Sequence, residues 1–321
     1  MTKYINRETA VENSKKKTKT DKFIRLVFLI ISLLCSSSVI FILILIIYKG
    51  ISPFINDYVI DGIAYRLNVW DFLTGTSWSG NGGTGYGAGF IVMNTIYVTF
   101  FTVLLAAPIS IITALVVVRM TNEYFGKIIG SVIELLASIP SVIFGMFGLG
   151  VITGWTKSIA EIFDYQTFGG QSNLTVILVL TMMSIPTITM ISITALRSVN
   201  QNVITGSLAL GASLSQTNYK VVLKSAKSGI FSGAILGVNR ALGEATAVTM
   251  VAGNITNGPS FNLFATTRTL TSTMLAEMGE ATGLNYDVRF SCGILLIFLI
   301  IFINFLLLRL KNKMGTQEYG K

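Results

Sequence analysis

Six apolar runs separated by polar stretches set the plan of this chain. The first extends from Phe23 to Tyr48, and the others cover about residues 90–118, 128–151, 174–196, 230–252 and 290–310. Each has the ~20 residues a helix needs to cross the hydrocarbon core of a bilayer. The first run exceeds the ~7–15 apolar residues of a signal peptide, and no small-residue cleavage site closes it, so it reads as a retained helix. The Lys-rich residues 1–22 hold too little apolar surface for a core and read as a disordered basic cytoplasmic tail. Residues 49–89 are polar, aromatic and Gly-rich and read as a flexible extracytoplasmic loop. Residues 90–310 then form a core of five further helices, interrupted by a cytoplasmic segment at 197–229, and residues 311–321 form a second cytoplasmic tail. The pattern predicts an all-α polytopic membrane protein with six transmembrane helices.

Composition narrows the function. The 321 residues are 52% hydrophobic and 12% charged, with a mean hydropathy of +0.68, whereas soluble domains carry ~25% charged residues. There is no His, which removes His-based metal sites and the commonest general base. Cys35 and Cys292 both lie in apolar runs and read as packing residues, neither disulfide nor metal ligands. The Gly-rich stretch Ser79–Gly89 lacks the Lys-Ser/Thr of a phosphate-binding P-loop, and no nucleophile–base pair stands out. A catalytic chain is not expected, no cofactor of its own is expected, and nothing points to nucleic acid. Most of the 24 Lys and Arg residues fall on one set of alternate segments. Lys49, Arg66, Lys157, Arg268 and Arg289 fall on the other set. The excess of positive charge marks the cytoplasmic side and places both termini there; the basic tail can also meet anionic membrane lipid.

Against that background a few residues are out of place. Arg240 lies within the fifth apolar run, where a central Arg costs ~2.5–3.5 kcal/mol on insertion scales. Glu244 follows four residues later, which puts both on one face of a continuous helix. Gly237 and Gly243 flank the pair and would admit a neighbouring helix. Either Arg240 faces a watery path and meets an anion, or the two charges form an internal ion pair that locks the bundle. Glu134, near the inner end of the third run, precedes Ser138, Pro140 and Ser141, either as a hydrated structural group near the interface or as part of a turn whose hydroxyl and amide donors suit an oxyanion. Pro108, Pro140 and Pro186 fall inside the second, third and fourth runs, as kinks lining a path or as packing kinks.

Between the fourth and fifth runs, Ser207-Leu-Ala-Leu reads as a compact apolar helix that Gly211 can end, and a second helix follows from Leu214. This shape suits either docking into a groove of a soluble partner or lying at the lipid interface. Ser207-Leu-Ala-Leu-Gly-Ala212, with Val221-Val-Leu223 and Gly229-Ile230, resembles the cytoplasmic "EAA" coupling loop of ABC importer permeases. Thr205 and Gly206 stand where that family has Glu and Ala, and Lys224 and Ser228 where it has Pro. Glu134–Leu149, Arg240-Ala-Leu-Gly-Glu244, Met250–Asn254, Arg268-Thr-Leu-Thr and Ala276–Ala281 are similar to the phosphate-specific permeases of PstC type. The resemblance implies a type I (MetI-like) permease core, a PstA-type sister permease, two PstB-type ATPase subunits that bind the ATP, and a PstS-type extracytoplasmic phosphate-binding protein. It further implies that Arg240 and Glu244 line the transport pathway; Glu134, Ser138 and Ser141 are added to that pathway from their own residue pattern. Residues Thr205, Gly206, Ser207, Leu208, Ala209, Leu210, Gly211 and Ala212 would couple to the ATPase. Sulfate, molybdate or phosphonate are the alternative cargoes, and the sister permease or a phosphate-sensing component the alternative roles.

Overall fold

The computed structural model describes residues 7–60, 62–79 and 83–316. Helix α1 covers Arg7–Ile55. It begins well before the apolar run, so the tail expected to be disordered is helical from residue 7 on, while residues 1–6 lie outside the described residues. The reason is local: residues 7–22 contain neither Gly nor Pro, and their Ala, Glu and Lys residues are good helix formers, so the helix nucleated in the apolar run propagates backward. The chain divides into two units, one ending at Lys49 and one beginning at Gly50.

The second unit opens with a short antiparallel pair, β1 (Tyr58–Ile60) and β2 (Ile63–Tyr65), followed by α2 (Val69–Thr74). Residues 80–82 of the Gly-rich stretch lie outside the described residues, but its flanks are ordered. Leu67, Phe72, Trp78 and Tyr86 are buried together with Phe90, Leu270, Leu284 and Val288. Tyr58 donates to Asp287 Oδ2 at 2.6 Å, and burial together with that carboxylate pushes the Tyr58 pKa up to about 12. The region expected to be a flexible loop is therefore a packed outer cap. Its aromatic residues, spaced among glycines, supply apolar area that a linker would lack.

The membrane-spanning helices follow. Helix α3 (Gly89–Leu115) continues through a π-helical turn, Val116–Met120. Next comes α4 (Glu123–Ser138), then α5 (Ser141–Phe147), which runs through a second π-helical turn, Gly148–Ile152, into α6 (Thr153–Ile162). After it, α7 (Asn173–Arg197) is the most buried span. A cytoplasmic excursion carries α8 (Gln201–Ala209), α9 (Leu214–Gln216), a π-helical turn at Thr217–Val222 and α10 (Leu223–Ser225). The chain returns through α11 (Lys227–Gly243), α12 (Thr246–Val251), α13 (Leu270–Leu275) and α14 (Gly283–Thr316). Among the described residues five helices are long and apolar enough to cross a membrane, and the count is six if the pair Leu214–Ser225 and Lys227–Gly243, bent by 65°, is taken as one span.

Two boundaries depart from the sequence reading. The third span is Ser141–Ile162 rather than residues 128–151. Ile139 takes an extended conformation before Pro140, as a residue preceding proline must when the α region is blocked. The proline therefore separates two helices instead of kinking one. Helix α4, with Glu123, Lys127 and Glu134 on its sides, is amphipathic and is not one of the spans. Pro108 and Pro186 do lie inside helices. Next to the second of these, Ser110 of α3 donates to the carbonyl of Ile185 at 3.1 Å and so ties α3 to α7.

Helices α7 and α11 pack through a stripe of small residues. A Cβ placed on Gly229 would sit 2.5 Å from the Ala195 Cβ, and one on Gly237 would sit 2.5 Å from the Ile188 Cδ1. The period of four keeps Gly229, Gly233 and Gly237 on one face and brings the backbones together. Gly243 meets no neighbour, so the close approach expected on both sides of Arg240 exists on one side only.

Candidate translocation site

The fifth apolar run is not one helix. Helix α11 has 17 residues, about 26 Å at 1.5 Å per residue, slightly short of the ~30 Å hydrocarbon core. It stops at Gly243, and Glu244 takes φ −75° and ψ 115°, an extended conformation. Helix α12 resumes at Thr246. Arg240 sits in the last turn before this break and is half-buried. Its Nη1 donates to Thr187 Oγ1 on α7 at 2.8 Å.

Glu244 does not answer Arg240. Its carboxylate Oε1 accepts from the backbone N–H of Ala247 at 3.0 Å and so caps the start of α12. Among the described residues no carboxylate lies within ion-pair distance of Arg240. The i,i+4 pairing expected from the sequence fails because it needs an unbroken helix, and the helix breaks between its members. Asn239 Oδ1, on the residue before Arg240 in sequence, is buried with no protein hydrogen-bond partner, as is Ser184 Oγ, three residues before Thr187 on α7. The arrangement is a guanidinium at a helix break, fixed by one bond to the Thr187 hydroxyl and with further N–H donors to offer. It is suited to receive an anion with planar, multi-donor geometry.

The other sequence candidates lie apart from it. Glu134 and Ser138 are exposed on α4, and the Ser138 hydroxyl bonds back to the Leu135 carbonyl. Ser141 begins α5. Among the hydrogen bonds of the described residues none joins Glu134, Ser138 or Ser141 to Arg240 or Glu244. Helix α5 does pack on α12, with Gly145 against Ala247 and Met250, so the Ser141 helix borders the element that Glu244 caps.

The cytoplasmic segment has the expected helix–Gly–helix shape. Helix α8 ends at Ala209 with Leu210 as its C-cap, and Gly211 takes φ +85°, the left-handed conformation glycine adopts without steric cost. Ser213 and Gln216 form a reciprocal capping box that starts α9. Thr205, Gly206, Leu208, Ala209 and Leu210 are exposed, while Ser207 and Ala212 are partly covered. Leu210 is 91% exposed. Ile204 is buried with Leu115, Ile133, Leu196, Val222 and Ile230, and the Ser207 and Thr217 hydroxyls lie 3.0 Å apart. Arg119, at the inner end of α3, donates to Asn218 Oδ1 at 3.0 Å. The segment thus presents an apolar tip outward while anchored to the spans behind it.

The sequence profile of the binding-protein-dependent transport system inner membrane components matches residues 106–314. The chain belongs to that family. It is a multi-pass component of the inner membrane. Curated relatives are similar over most of the length of this permease. A probable ABC transporter permease, YqgH of Bacillus subtilis strain 168, is 35% identical over 243 residues, covering 74% of this chain and 76% of that protein. The phosphate transport system permease PstC of Pasteurella multocida is 30% identical over 250 residues, covering 72% and 78%. Among solved structures, a bacterial alginate ABC transporter with its alginate-bound periplasmic protein gives a TM-score of 0.57 at 14% identity, covering 95% of this chain and 98% of that one. It supports the importer-permease fold.

Sequence reasoning missed several residues of this permease that shape the site. Thr187 was signalled only by its place after Pro186. Arg268 and Arg289, counted as outer-loop charges, are 3% and 1% exposed. Arg268 donates to the carbonyls of Ile255 and Asn254, each at 2.8 Å, and lies 5.8 Å from the Trp78 ring centroid. Burial lowers its pKa to about 10, with Glu277 opposing and Arg289 reinforcing the shift; it stays charged at neutral pH. Arg289 binds the carbonyls of Thr273 and Ala276 and pairs with Glu277.

Proposed function

We propose that this chain is the membrane-spanning permease of an ATP-driven importer of inorganic phosphate and forms the translocation path with a sister permease. The observation that carries the reading is Arg240, a half-buried guanidinium at a membrane helix break, held by Thr187 and unpaired by any described carboxylate. Relatives named as phosphate transport permeases support phosphate as the cargo. Phosphate carries about −1.5 to −2 charges near neutral pH, by analogy with its esters, and a fixed guanidinium lowers the electrostatic barrier to its passage. Glu244, close in sequence but engaged with the α12 amide, limits how tightly the anion is held, since conduction requires release.

An extracytoplasmic binding protein delivers the anion, and two cytoplasmic ATPase subunits bind and hydrolyse ATP. The exposed apolar tip around Leu208, Leu210 and Leu214 docks into the ATPase. Behind it, Ile204 and the Ser207–Thr217 contact carry the ATPase movement to α3, α7 and α11. Replacing Arg240 by Gln, with assembly verified by co-purification, should abolish phosphate uptake in whole cells. Normal uptake by that variant would overturn the reading. Competition by sulfate or molybdate at the potency of phosphate would reassign the cargo.

A further inference from the structure

The break at Glu244 is one backbone rotation from being a helix. Glu244 has helical φ (−75°) but ψ of 115°, whereas an α-helix needs ψ of about −42°. On one side Gly243 ends α11, and on the other Ala245 is already in the right-handed helical region at φ −103° and ψ −50°. Turning ψ of Glu244 would join α11 and α12 into one continuous helix. Arg240 and Glu244 would then stand four residues apart on one face and pair.

Two hydrogen bonds hold the broken form, and neither survives in the continuous one. The first is the Glu244 carboxylate capping Ala247. The second comes from the outer segment: Thr271 Oγ1 donates to the Glu244 backbone carbonyl at 2.8 Å. In a continuous helix that carbonyl would instead point along the axis toward the N–H of residue 248. Thr271 is itself tightly placed. It is 4% exposed, and its hydroxyl lies 3.0 Å from that of Thr269, which caps α13. Leu270 N–H donates to Thr95 Oγ1 on α3 at 3.0 Å. Arg268 fastens the segment to the carbonyls after α12, and Arg289 fastens it to those at the end of α13. The same segment reaches the outer surface with Phe261, Leu263 and Leu275 exposed.

We infer that Thr271 is a positioning residue that keeps the α11–α12 helix broken, so that Arg240 is free for an anion, and that displacement of the outer segment lets Glu244 swing back and mask Arg240. The outer segment thereby controls anion access to the site. This rests on the proposed role of Arg240, but the backbone change can be read without transport.

The test uses the assembled transporter. Thr271→Val removes the hydroxyl at nearly constant volume, and Thr271→Ser keeps it. Thr271→Val should lower phosphate uptake about tenfold, the weight of one net hydrogen bond in a two-state equilibrium, and Thr271→Ser should restore it. In a Glu244→Gln background, where no carboxylate is left to mask Arg240, Thr271→Val should add little further loss. Hydrogen–deuterium exchange over residues 241–248 should slow in Thr271→Val, because the joined helix bonds amides that the break leaves out. If that variant does not assemble, Thr271→Ala serves for the exchange measurement. Unchanged exchange, or an equal loss with and without Glu244, overturns the inference. Normal uptake in Arg240→Gln alongside slowed exchange in Thr271→Val would instead sink the role of Arg240 and leave the switch standing.

Discussion

Substituting Ile204 by Ala should uncouple ATP hydrolysis from transport without releasing the ATPase. Of the nine residues of α8, Ile204 is the buried one, packed among Leu115, Ile133, Leu196, Val222 and Ile230. A free helix of that length is marginal in water, where ~12–15 residues are the usual minimum. Its position therefore depends on this anchor, aided by the Ser207–Thr217 contact. Removing three carbons at ~0.8 kcal/mol each, plus a cavity term, costs about 2–4 kcal/mol. That shifts the balance between docked and undocked α8 by roughly 30- to 700-fold, at 1.4 kcal/mol per decade. The exposed tip at Leu210 is untouched, so the ATPase should still co-purify. In proteoliposomes with the binding protein inside the assay, ATP hydrolysis should persist while phosphate moved per ATP falls at least tenfold. A wild-type transport-to-hydrolysis ratio in Ile204→Ala would refute the idea that this side chain transmits the movement.

The complementary change, Leu210→Asp, should leave expression and thermal stability intact, since the side chain is 91% exposed. It should abolish recovery of the ATPase in a pull-down. Gly229→Ala should lower the melting temperature of the detergent-solubilised protein, because the new Cβ meets the Ala195 Cβ at 2.5 Å and a backbone must move; overpacking of this kind costs about 1–3 kcal/mol. Arg268→Ala leaves the partly buried carbonyls of Asn254 and Ile255 without their donor. At about 1–3 kcal/mol for each unsatisfied group, it should destabilise the outer cap, read as faster protease cleavage between residues 252 and 283.

Hydropathy and charge along the chain were enough for the membrane class, the approximate number of spans and the helix–Gly–helix excursion. Those properties are set locally, by ~20-residue apolar lengths and by the backbone freedom of Gly211. The cost of an intramembrane Arg likewise marked Arg240 from sequence alone. The relation of Arg240 to Glu244 was not legible there. Spacing of four residues implies a shared face only along an unbroken helix, and the break depends on the Thr271 hydroxyl, 27 residues further on. The amphipathic character of α4 and the break at Pro140 moved the third span and left Glu134 outside it. The outer cap was hidden for the same kind of reason. Arg268 and Arg289 read as surface charges because the carbonyls they satisfy, in the segment after α12 and in the last turn of α13, are brought to them only by tertiary packing. Local periodicity thus decided what crosses the membrane, while hydrogen bonds formed only in the folded chain hold the fifth run broken at Glu244, with no carboxylate among the described residues paired to Arg240.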